Sequence, residues 1–224
     1  MEKAQIQVCP SILSGDFGRL AEEAKRIEQA GADAIHIDIM DGHFVPNLTL
    51  GPKAVAAINR ATPLFLDVHV MIYNPYDYIE AFAEAGADRI TFHFEATEDV
   101  DDVIQFIQRC GKKAGLAFRP ETSFSMIPKY IGVCDMILLM TVSPGFGGQK
   151  FMPEVLEKIK LAREFCDRNK VLVDGKPFDI QVDGGINPET AKQCVEAGAN
   201  VLVSGEYLFK QPNFAKAVQS LKNI

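Results

Sequence analysis

One phrase occurs three times along this chain, and it limits the possible folds more than any other feature. The three copies read QAGADAIHID (29–38), EAGADRITFH (84–93) and EAGANVLVSG (196–205). In each copy a glycine follows an amphipathic pattern, as it does where a helix ends, and an apolar run typical of a strand comes next. Repetition of such a phrase indicates that one βα unit is repeated along the chain.

Eight strand-like runs alternate with helical patterns across the 224 residues. The predicted strands are 6–13, 34–40, 64–71, 89–95, 114–120, 136–143, 179–183 and 200–205. The helical patterns include GRLAEEAKRIEQAG, YDYIEAFAEAG, DDVIQFIQRCG, PEVLEKIKLAREF and PETAKQCVEAG. Dividing 224 residues among eight units gives 28 each, which predicts a single-domain (β/α)8 TIM barrel over residues 1–224. The alternative is a doubly wound open sheet, but the first turn, SGDFGRL, lacks the G-x-G-x-x-G fingerprint of that fold.

The composition argues against several classes of protein. With Lys+Arg 23 and Asp+Glu 30, the net charge is −7, so the basic surface that nucleic acids and anionic membranes require is not expected. No apolar run approaches the ~18 residues of a membrane span, and the opening MEKAQIQVCP has no apolar signal core. The five cysteines are odd in number and form no C-x-x-C pair, which disfavours disulfide frameworks and zinc knuckles. We therefore expect a cytoplasmic enzyme.

Polar residues interrupt four of the predicted strands, although strands covered on both faces are usually almost continuously apolar. In AIHIDIM, alternation places His36, Asp38 and Met40 opposite three isoleucines. The same alternation assigns one face of the later strands to Asp67, His69, Met71, Thr91, His93, Glu95, Gln181 and Asp183. Because the outer helices cover the apolar face, the polar face is expected inside the barrel, at the strand ends where barrel enzymes have their sites.

Carboxylates buried at these positions would each cost several kcal/mol without a compensating partner. Imidazole and carboxylate together are ligands suited to zinc, iron, cobalt or manganese. The sequence therefore predicts one divalent ion per chain, bound by His36, Asp38, His69 and Asp183. For His93, a ligand role and a role as hydrogen-bonded core residue both stay open, and His43 is expected to lie in a loop.

A glycine-rich segment, VSPGFGGQKF (142–151), follows the sixth predicted strand and is called the lid loop below. Three glycines in four positions allow the backbone to approach a ligand closely, and exposed amides suit an anion. Such segments are often only turns. Here, however, Asp183-Gly184-Gly185 and Ser204-Gly205 follow the next two strands, where barrels often bind phosphate. The three turns together predict a phosphate site with a flexible lid.

Five segments resemble the ribulose-phosphate 3-epimerase family, in order and over essentially the whole chain. They are CPSILSGDFGRL (9–20), HIDIMDGHFVPNLTLGP (36–52), DVHVM (67–71), MTVSPGFGGQKF (140–151) and QVDGGINPET (181–190). Allulose-6-phosphate 3-epimerases share much of this pattern. The resemblance implies a metal-dependent barrel enzyme of the pentose phosphate pathway that interconverts D-ribulose 5-phosphate and D-xylulose 5-phosphate through an enediolate.

The resemblance also implies roles for individual residues. The four predicted ligands match the family's metal ligands, with Asp38 also as proton acceptor and Asp183 as proton donor. The implied substrate contacts are Ser11, Met40, His69, Met71, Met140, Gly145, Phe146, Gly147, Gly148, Gly184, Gly185, Gly205 and Glu206. Two acid/base groups suit an epimerase, because inversion next to a ketone removes a proton from one face of the carbon and returns one to the other.

Two positions depart from the family pattern. Arg119-Pro120 stands where the family usually has Asn-Pro, and Gly205-Glu206 stands where it usually has Gly-Ser. A carboxylate near a phosphate is unfavourable, so we expect Glu206 to turn away from it, toward a cation such as Arg119 or Lys150. The departures leave open an epimerase for another ketose phosphate, such as D-allulose 6-phosphate, and a non-catalytic metal- and sugar-phosphate-binding protein.

The expected partner is thus a small-molecule ketose phosphate, with no nucleic-acid or membrane partner. We also expect a homo-oligomer. The apolar loop 44–50 would either form the contact between subunits or line the mouth of the site.

Overall fold

The barrel is built from eight parallel strands. The computed structural model describes residues 5–224, so residues 1–4 of the N-terminal stretch considered above lie outside it. In chain order the strands are β1 (Gln7–Pro10), β2 (Ala34–Met40), β3 (Phe65–Met71), β4 (Arg89–His93), β5 (Lys113–Phe118), β6 (Met136–Met140), the short pair β7 (Leu172–Val173) and β8 (Lys176–Pro177), β9 (Asp179–Asp183) and β10 (Val201–Ser204). All but β7 and β8 belong to the barrel, in the order β1-β10-β9-β6-β5-β4-β3-β2. A parallel bridge between Ser11 and His36 joins its two ends, which confirms the predicted TIM barrel.

Helices surround the strands. They are α1 (Leu20–Gln29), α2 (Pro52–Asn59), α3 (Ile79–Glu84), α4 (Val100–Arg109), α5 (Val155–Asn169), α6 (Pro188–Ala197), α7 (Glu206–Lys210) and α8 (Phe214–Lys222). The five amphipathic patterns singled out in the sequence coincide with α1, α3, α4, α5 and α6. Within residues 5–224, no helix combines the length and the apolar character that a membrane crossing requires.

The thrice-repeated phrase has the same structure in each copy. Its glycines, Gly31, Gly86 and Gly198, have φ angles of 74°, 101° and 116°, a conformation that residues with a side chain rarely adopt. The polar residue two positions later accepts a hydrogen bond from a backbone N–H of the neighbouring strand at 2.8 Å in every copy. These pairs are Asp33 with Val8, Asp88 with Leu66 and Asn200 with Ile180. The phrase therefore ends a helix and fastens the next strand to its neighbour.

The fifth βα unit departs from the regular pattern. Between β5 and β6, where every residue is described, a short 3₁₀ turn (Phe124–Met126) replaces the expected α-helix. The half-buried Lys158 of α5 reaches across this segment. Its Nζ donates to the carbonyl oxygens of Arg119, Pro120 and Thr122 at 3.2, 2.7 and 2.5 Å. The hydrogen bonds of Lys158 thus fix the position of the segment after β5, which has no α-helix of its own.

The hairpin of β7 and β8 lies at the opposite end of the barrel from the carboxyl ends of the strands. Its turn, Asp174-Gly175, has positive φ angles of 51° and 76°. Asp174 pairs with Lys113, the first residue of β5, at 2.7 Å. Asp174-Gly175 therefore forms a tight turn shortly before β9, the seventh strand of the barrel.

Candidate active site

Four side chains from three strands converge at the carboxyl end of the barrel. They are His36 and Asp38 of β2, His69 of β3 and Asp183 of β9, and one ligand atom from each lies within 4.8 Å of all the others. His36 Nε2 lies 3.3 Å from His69 Nδ1, 3.4 Å from Asp38 Oδ1 and 3.8 Å from Asp183 Oδ2. The structure therefore brings the four residues that the sequence singled out into one cluster, called the four-residue cluster below.

The chemistry of the four-residue cluster fits a divalent cation. His36 Nδ1 lies 2.8 Å from the carboxylate of Asp67; because a carboxylate only accepts, that nitrogen donates and Nε2 is left to face the cluster. Without a positive charge, lone pairs of imidazole and carboxylate would face one another. Burial by itself lowers the pKa of His36. The negative charges and hydrogen bonds of Asp38 and Asp67 outweigh this effect and raise the pKa of His36 well above its ordinary value. A proton or a cation is thus needed here, and the donor set is one that zinc, iron, cobalt and manganese accept.

The two carboxylates of the cluster differ in proton affinity. Burial, and then the negative charge of Asp38, raise the pKa of Asp183 to about 6. Burial acts in the same direction on Asp38, but the charge and hydrogen bonds of His36, together with His69, hold the pKa of Asp38 far below its ordinary value. Two carboxylates with separated pKa values are the arrangement that enzymes use for an acid and a base in one site.

Asp67 binds the ring nitrogen of His36 that points away from the four-residue cluster. The sequence placed Asp67 on the inward face of its strand but assigned it no function. Its Oδ2 contacts His36 Nδ1 and accepts from Gln181 Nε2 at 2.7 Å, while its Oδ1 accepts from Arg89 Nε at 2.8 Å. A carboxylate behind a metal-binding histidine fixes the tautomer and the ring orientation. The signal in the sequence was its place two residues before His69 on the same face.

His93 lies outside the four-residue cluster, behind His69. The Nε2 atoms of the two rings are 3.0 Å apart, and His93 Nδ1 lies 3.2 Å from Oε2 of Glu95. Burial lowers the pKa of His93 to about 4, against the opposing hydrogen bond of Glu95. His43, by contrast, is exposed in a loop and packs edge-on against Tyr73, as expected.

A cavity of about 660 Å³ opens above the four-residue cluster. Asp38 and Asp183 form part of its floor, and Ser11 Oγ donates to Asp38 Oδ2 at 2.5 Å. With the exception of His69, every residue that the resemblance implied as a substrate contact borders this cavity: Ser11, Met40, Met71, Met140, Gly145, Phe146, Gly147, Gly148, Gly184, Gly185, Gly205 and Glu206. His69 lies fully buried beneath it.

The lid loop is attached to the loop that follows β2. Asn47 Nδ2 donates to the carbonyl oxygen of Gly145 at 2.8 Å. Within the lid loop, Gln149 Nε2 donates to the carbonyl oxygens of Ser143 and Phe146 at 2.6 and 2.9 Å. Gly145 and Gly148 have φ angles of 128° and 73°, so the bends of this loop depend on glycine.

Glu206 is the first residue of α7 and borders the cavity. Its carboxylate pairs with Lys210 one turn along the helix and lies directly against Gly148 of the lid loop. The partner of Glu206 is therefore Lys210 and not Arg119 or Lys150, the two cations expected from the sequence. Arg119 is directed elsewhere, because its guanidinium lies 4.3 Å from the ring centroid of Phe44 and donates to the Phe44 carbonyl oxygen.

Comparison with known proteins agrees with this geometry. The model of the ribulose-phosphate 3 epimerase family matches residues 7–209. The chain belongs to this family. It is 52% identical to the ribulose-phosphate 3-epimerase of Chlamydia trachomatis, over 94% of this chain and 89% of that protein. It is 48% identical to the Bacillus subtilis protein of that name, over 97% and 98%. The family member described here is accordingly an epimerase of the isomerase class.

Solved structures at low identity share the barrel. A mutant tryptophan synthase alpha-subunit from Pyrococcus furiosus superposes with a TM-score of 0.72 at 14% identity, covering 100% of both chains. KGPDC from Streptococcus mutans gives a TM-score of 0.71 at 14% identity, over 98% of this chain and 96% of that one. At this identity the likeness shows the fold.

Proposed function

We propose that this member of the family interconverts D-ribulose 5-phosphate and D-xylulose 5-phosphate, with Asp38 and Asp183 as its two proton-transfer groups. The observation that carries the proposal is the pair of carboxylates that line one cavity beside two histidines. They belong to β2 and β9, which β1 and β10 separate in the ring. The curated relatives named above carry the name of this reaction.

The two aspartates divide the proton transfer between them. Asp38 is ionised and accepts the C3 proton from one face of the substrate. Asp183, on a strand separated from β2 by two others around the ring, serves the other face of the substrate and returns a proton there. A carboxylate of pKa ~4 is by itself a weak base for a carbon acid. A divalent cation held by His36, His69 and the two aspartates would supply electrostatic stabilisation to the enediolate.

Neighbouring residues orient these groups. The hydroxyl of Ser11 donates to Asp38 Oδ2 and leaves Oδ1 directed toward His69 Nδ1, 3.2 Å away. Met40 and Met71 are register partners on β2 and β3. Their thioethers line the cavity with polarizable groups that do not exchange protons.

We place the phosphate at the rim, where the lid loop meets the turns after β9 and β10. Gly147, Gly148, Gly185 and Gly205 border the cavity there, and their backbone amides can donate to an anion whatever the side chain of residue 206. Lys210 borders the cavity as well and adds a positive charge to balance Glu206.

A turnover assay tests the proposal. Purified protein, analysed for bound metal, is given D-ribulose 5-phosphate and, separately, D-allulose 6-phosphate, before and after treatment with a strong chelator. We expect at least tenfold higher kcat/KM for the pentulose phosphate and loss of activity on chelation. Preference for the hexulose phosphate would establish the alternative that Glu206 raises, and absence of turnover with either would favour a binding protein. Full turnover without metal would remove the cation from the proposal.

We further propose a homo-oligomer in the cytoplasm. In the loop 44–50, Val45 is buried against Met40 and Met71, two residues that line the cavity, so this part of the loop packs against the wall of the site. Leu48 of the same loop is 74% exposed and is available for a contact between subunits. The five cysteines, all among the described residues, are free thiols, as a reducing compartment would keep them. Light scattering of wild type and Leu48→Ser tests the oligomer; an unchanged mass would exclude Leu48 from the contact.

A further inference from the structure

Each histidine of the four-residue cluster has one ring nitrogen toward the cluster and one away from it. His36 uses Nε2 and His69 uses Nδ1, which lies 3.2 Å from Asp38 Oδ1. A neutral imidazole binds a metal only through the nitrogen without a proton. His69 can therefore serve as a ligand through Nδ1 only when its proton is on Nε2. For His36 the adjacent Asp67 meets this requirement. Within residues 5–224, His69 has no carboxylate at its outer nitrogen, and its neighbour there is His93.

The contact between His69 and His93 has a definite direction. The two Nε2 atoms are 3.0 Å apart, so one ring donates and the other accepts. If His69 donates, His93 carries its own proton on Nδ1. That nitrogen lies 3.2 Å from Oε2 of Glu95, which accepts when ionised. The only arrangement of neutral rings that satisfies both contacts runs from His69 Nε2–H to His93 Nε2 and from His93 Nδ1–H to Glu95.

Glu95 is itself held in place by the loop after β5. Its Oε1 accepts from the backbone N–H of Arg119 at 2.9 Å and from the hydroxyl of Thr122. Only 20% of its side chain is exposed. Since a backbone N–H can only donate, Oε1 must remain an acceptor, and the carboxylate has one orientation available. On the other side, the Phe44 ring packs on His93 at a centroid distance of 4.9 Å.

We propose that Glu95, acting through His93, is a positioning residue that fixes the tautomer of His69 and leaves its Nδ1 free for the metal. This inference rests on the metal binding proposed above. The two histidines of the cluster then have equivalent support: His36 receives it directly from Asp67, and His69 receives it through one intermediate imidazole. Glu95 contacts neither the cavity floor nor the four ligands, so its effect is transmitted along the two hydrogen bonds.

The substitution Glu95→Gln tests the direction of the two hydrogen bonds that link His69, His93 and Glu95, and it hardly changes the shape of the side chain. The amide oxygen must stay at the Oε1 position, because the Arg119 N–H would otherwise face another donor. The NH₂ group then faces His93 Nδ1 and requires an acceptor there, so His93 places its proton on Nε2. His69 Nε2 becomes the acceptor, and the His69 proton moves to Nδ1, the atom that should bind the metal. Glu98→Gln is the matched control, because Glu98 is exposed and the charge change is identical.

Nitrogen-15 NMR of the metal-free protein reads these tautomers without any activity. The chain has four histidines, and long-range nitrogen–proton correlations distinguish Nδ1–H from Nε2–H. In the wild type and Glu98→Gln we expect Nε2–H on His69 and Nδ1–H on His93. In Glu95→Gln we expect both to reverse, while His36 keeps its Nδ1–H on Asp67 and the exposed His43 keeps its spectrum. Unchanged backbone amide signals away from Glu95 show that the fold is intact.

Zinc titration supplies the second readout. Loss of such outer partners typically weakens metal affinity by about 10–100-fold, and we expect a loss in that range for Glu95→Gln alone. Nδ1–H on His69 in the wild type, or unchanged tautomers and zinc affinity in Glu95→Gln, would overturn the inference. Failure of the wild type to bind zinc, cobalt or manganese would refute the proposed metal function instead, and the tautomers would still show whether Glu95 directs His69.

Discussion

Asp67 Oδ2 lies 2.8 Å from His36 Nδ1, and both side chains are completely buried. Asp67→Asn should weaken zinc binding by about 10–100-fold, because the amide cannot accept at every point where the carboxylate does. It also leaves Arg89 without its buried partner, which should lower the free energy of unfolding by about 3–5 kcal/mol. Zinc titration and urea denaturation measure the two effects.

Asp101→Asn is the control, since Asp101 forms an exposed pair with Lys129 and should change neither quantity by much. Wild-type zinc affinity in Asp67→Asn would show that His36 needs no support from Asp67.

The direction of the Asp67 side chain could be predicted from the sequence, but its contact with His36 could not. Period-two alternation placed it on the same inward face as His69, because side-chain direction in a strand is a local property. Its contact with His36 depends on the register between β2 and β3, in which His36 is paired with Asp67 and Asp38 with His69. Register between strands is set by the whole barrel, so the four-residue cluster could be predicted from strand ends but its hydrogen-bond partners could not.

Asp38→Asn and Asp183→Asn should each abolish epimerisation. If the two groups act on opposite faces, each substrate epimer loses its proton to a different aspartate. Either variant should therefore still exchange the C3 proton of one epimer with deuterated water without inverting it. NMR detection of deuterium at C3 distinguishes the two variants, with metal content measured in parallel. Near wild-type turnover in either variant would exclude that aspartate from the mechanism.

Glu95 should give the protein a stability that disappears in acid. Burial by itself raises its pKa, but hydrogen bonds from His93, Thr122 and the Arg119 amide outweigh it and lower the pKa from 4.5 to about 2. A carboxyl group with a lowered folded-state pKa stabilises the fold above its unfolded pKa. This stabilisation, about 3 kcal/mol in full, is lost as the pH falls from 5 toward 2.

Urea denaturation of wild type and Glu95→Gln at several pH values measures this effect. The difference in free energy of unfolding between the two should stay constant above pH 5 and narrow below it. A difference that does not change down to pH 3 would contradict the lowered pKa.

Lys158 should contribute to stability through the loop that lacks a helix. Lys158→Met keeps the length of the side chain but leaves three carbonyl oxygens without their donor. Hydrogen bonds to charged groups contribute about 1.5–3 kcal/mol, and we expect a loss of that size in thermal or urea unfolding. Lys160→Met, at an exposed position of the same helix, is the control. Equal stability of the two variants would show that the loop after β5 does not depend on the hydrogen bonds of Lys158.

Sequence patterns could not predict the missing helix of the fifth unit or the short helix α7. A regular barrel predicts a helix after every strand, and the replacement of one helix by the Lys158 contacts depends on distant residues. Helix α7 has five residues, too few for a 3.6-residue period to be visible. Glu206 and Lys210 come together because α7 places them one turn apart. Since the sequence does not predict α7, it does not predict this pair.

Glu206→Ser should change KM for D-ribulose 5-phosphate by less than about tenfold, or under ~1.4 kcal/mol. Lys210 already neutralises the Glu206 carboxylate, and the backbone amides proposed to hold the phosphate do not depend on the side chain. The same substitution should leave KM for unphosphorylated ketoses unchanged. Lys210→Met should have the larger effect and raise KM for the phosphorylated substrate, because it leaves an unbalanced carboxylate at the rim of the cavity. Steady-state kinetics of the two variants with both substrate types measures this. If Glu206→Ser tightened binding of the phosphorylated substrate far more than tenfold, the carboxylate would face the ligand, and the natural substrate would carry no phosphate at that end.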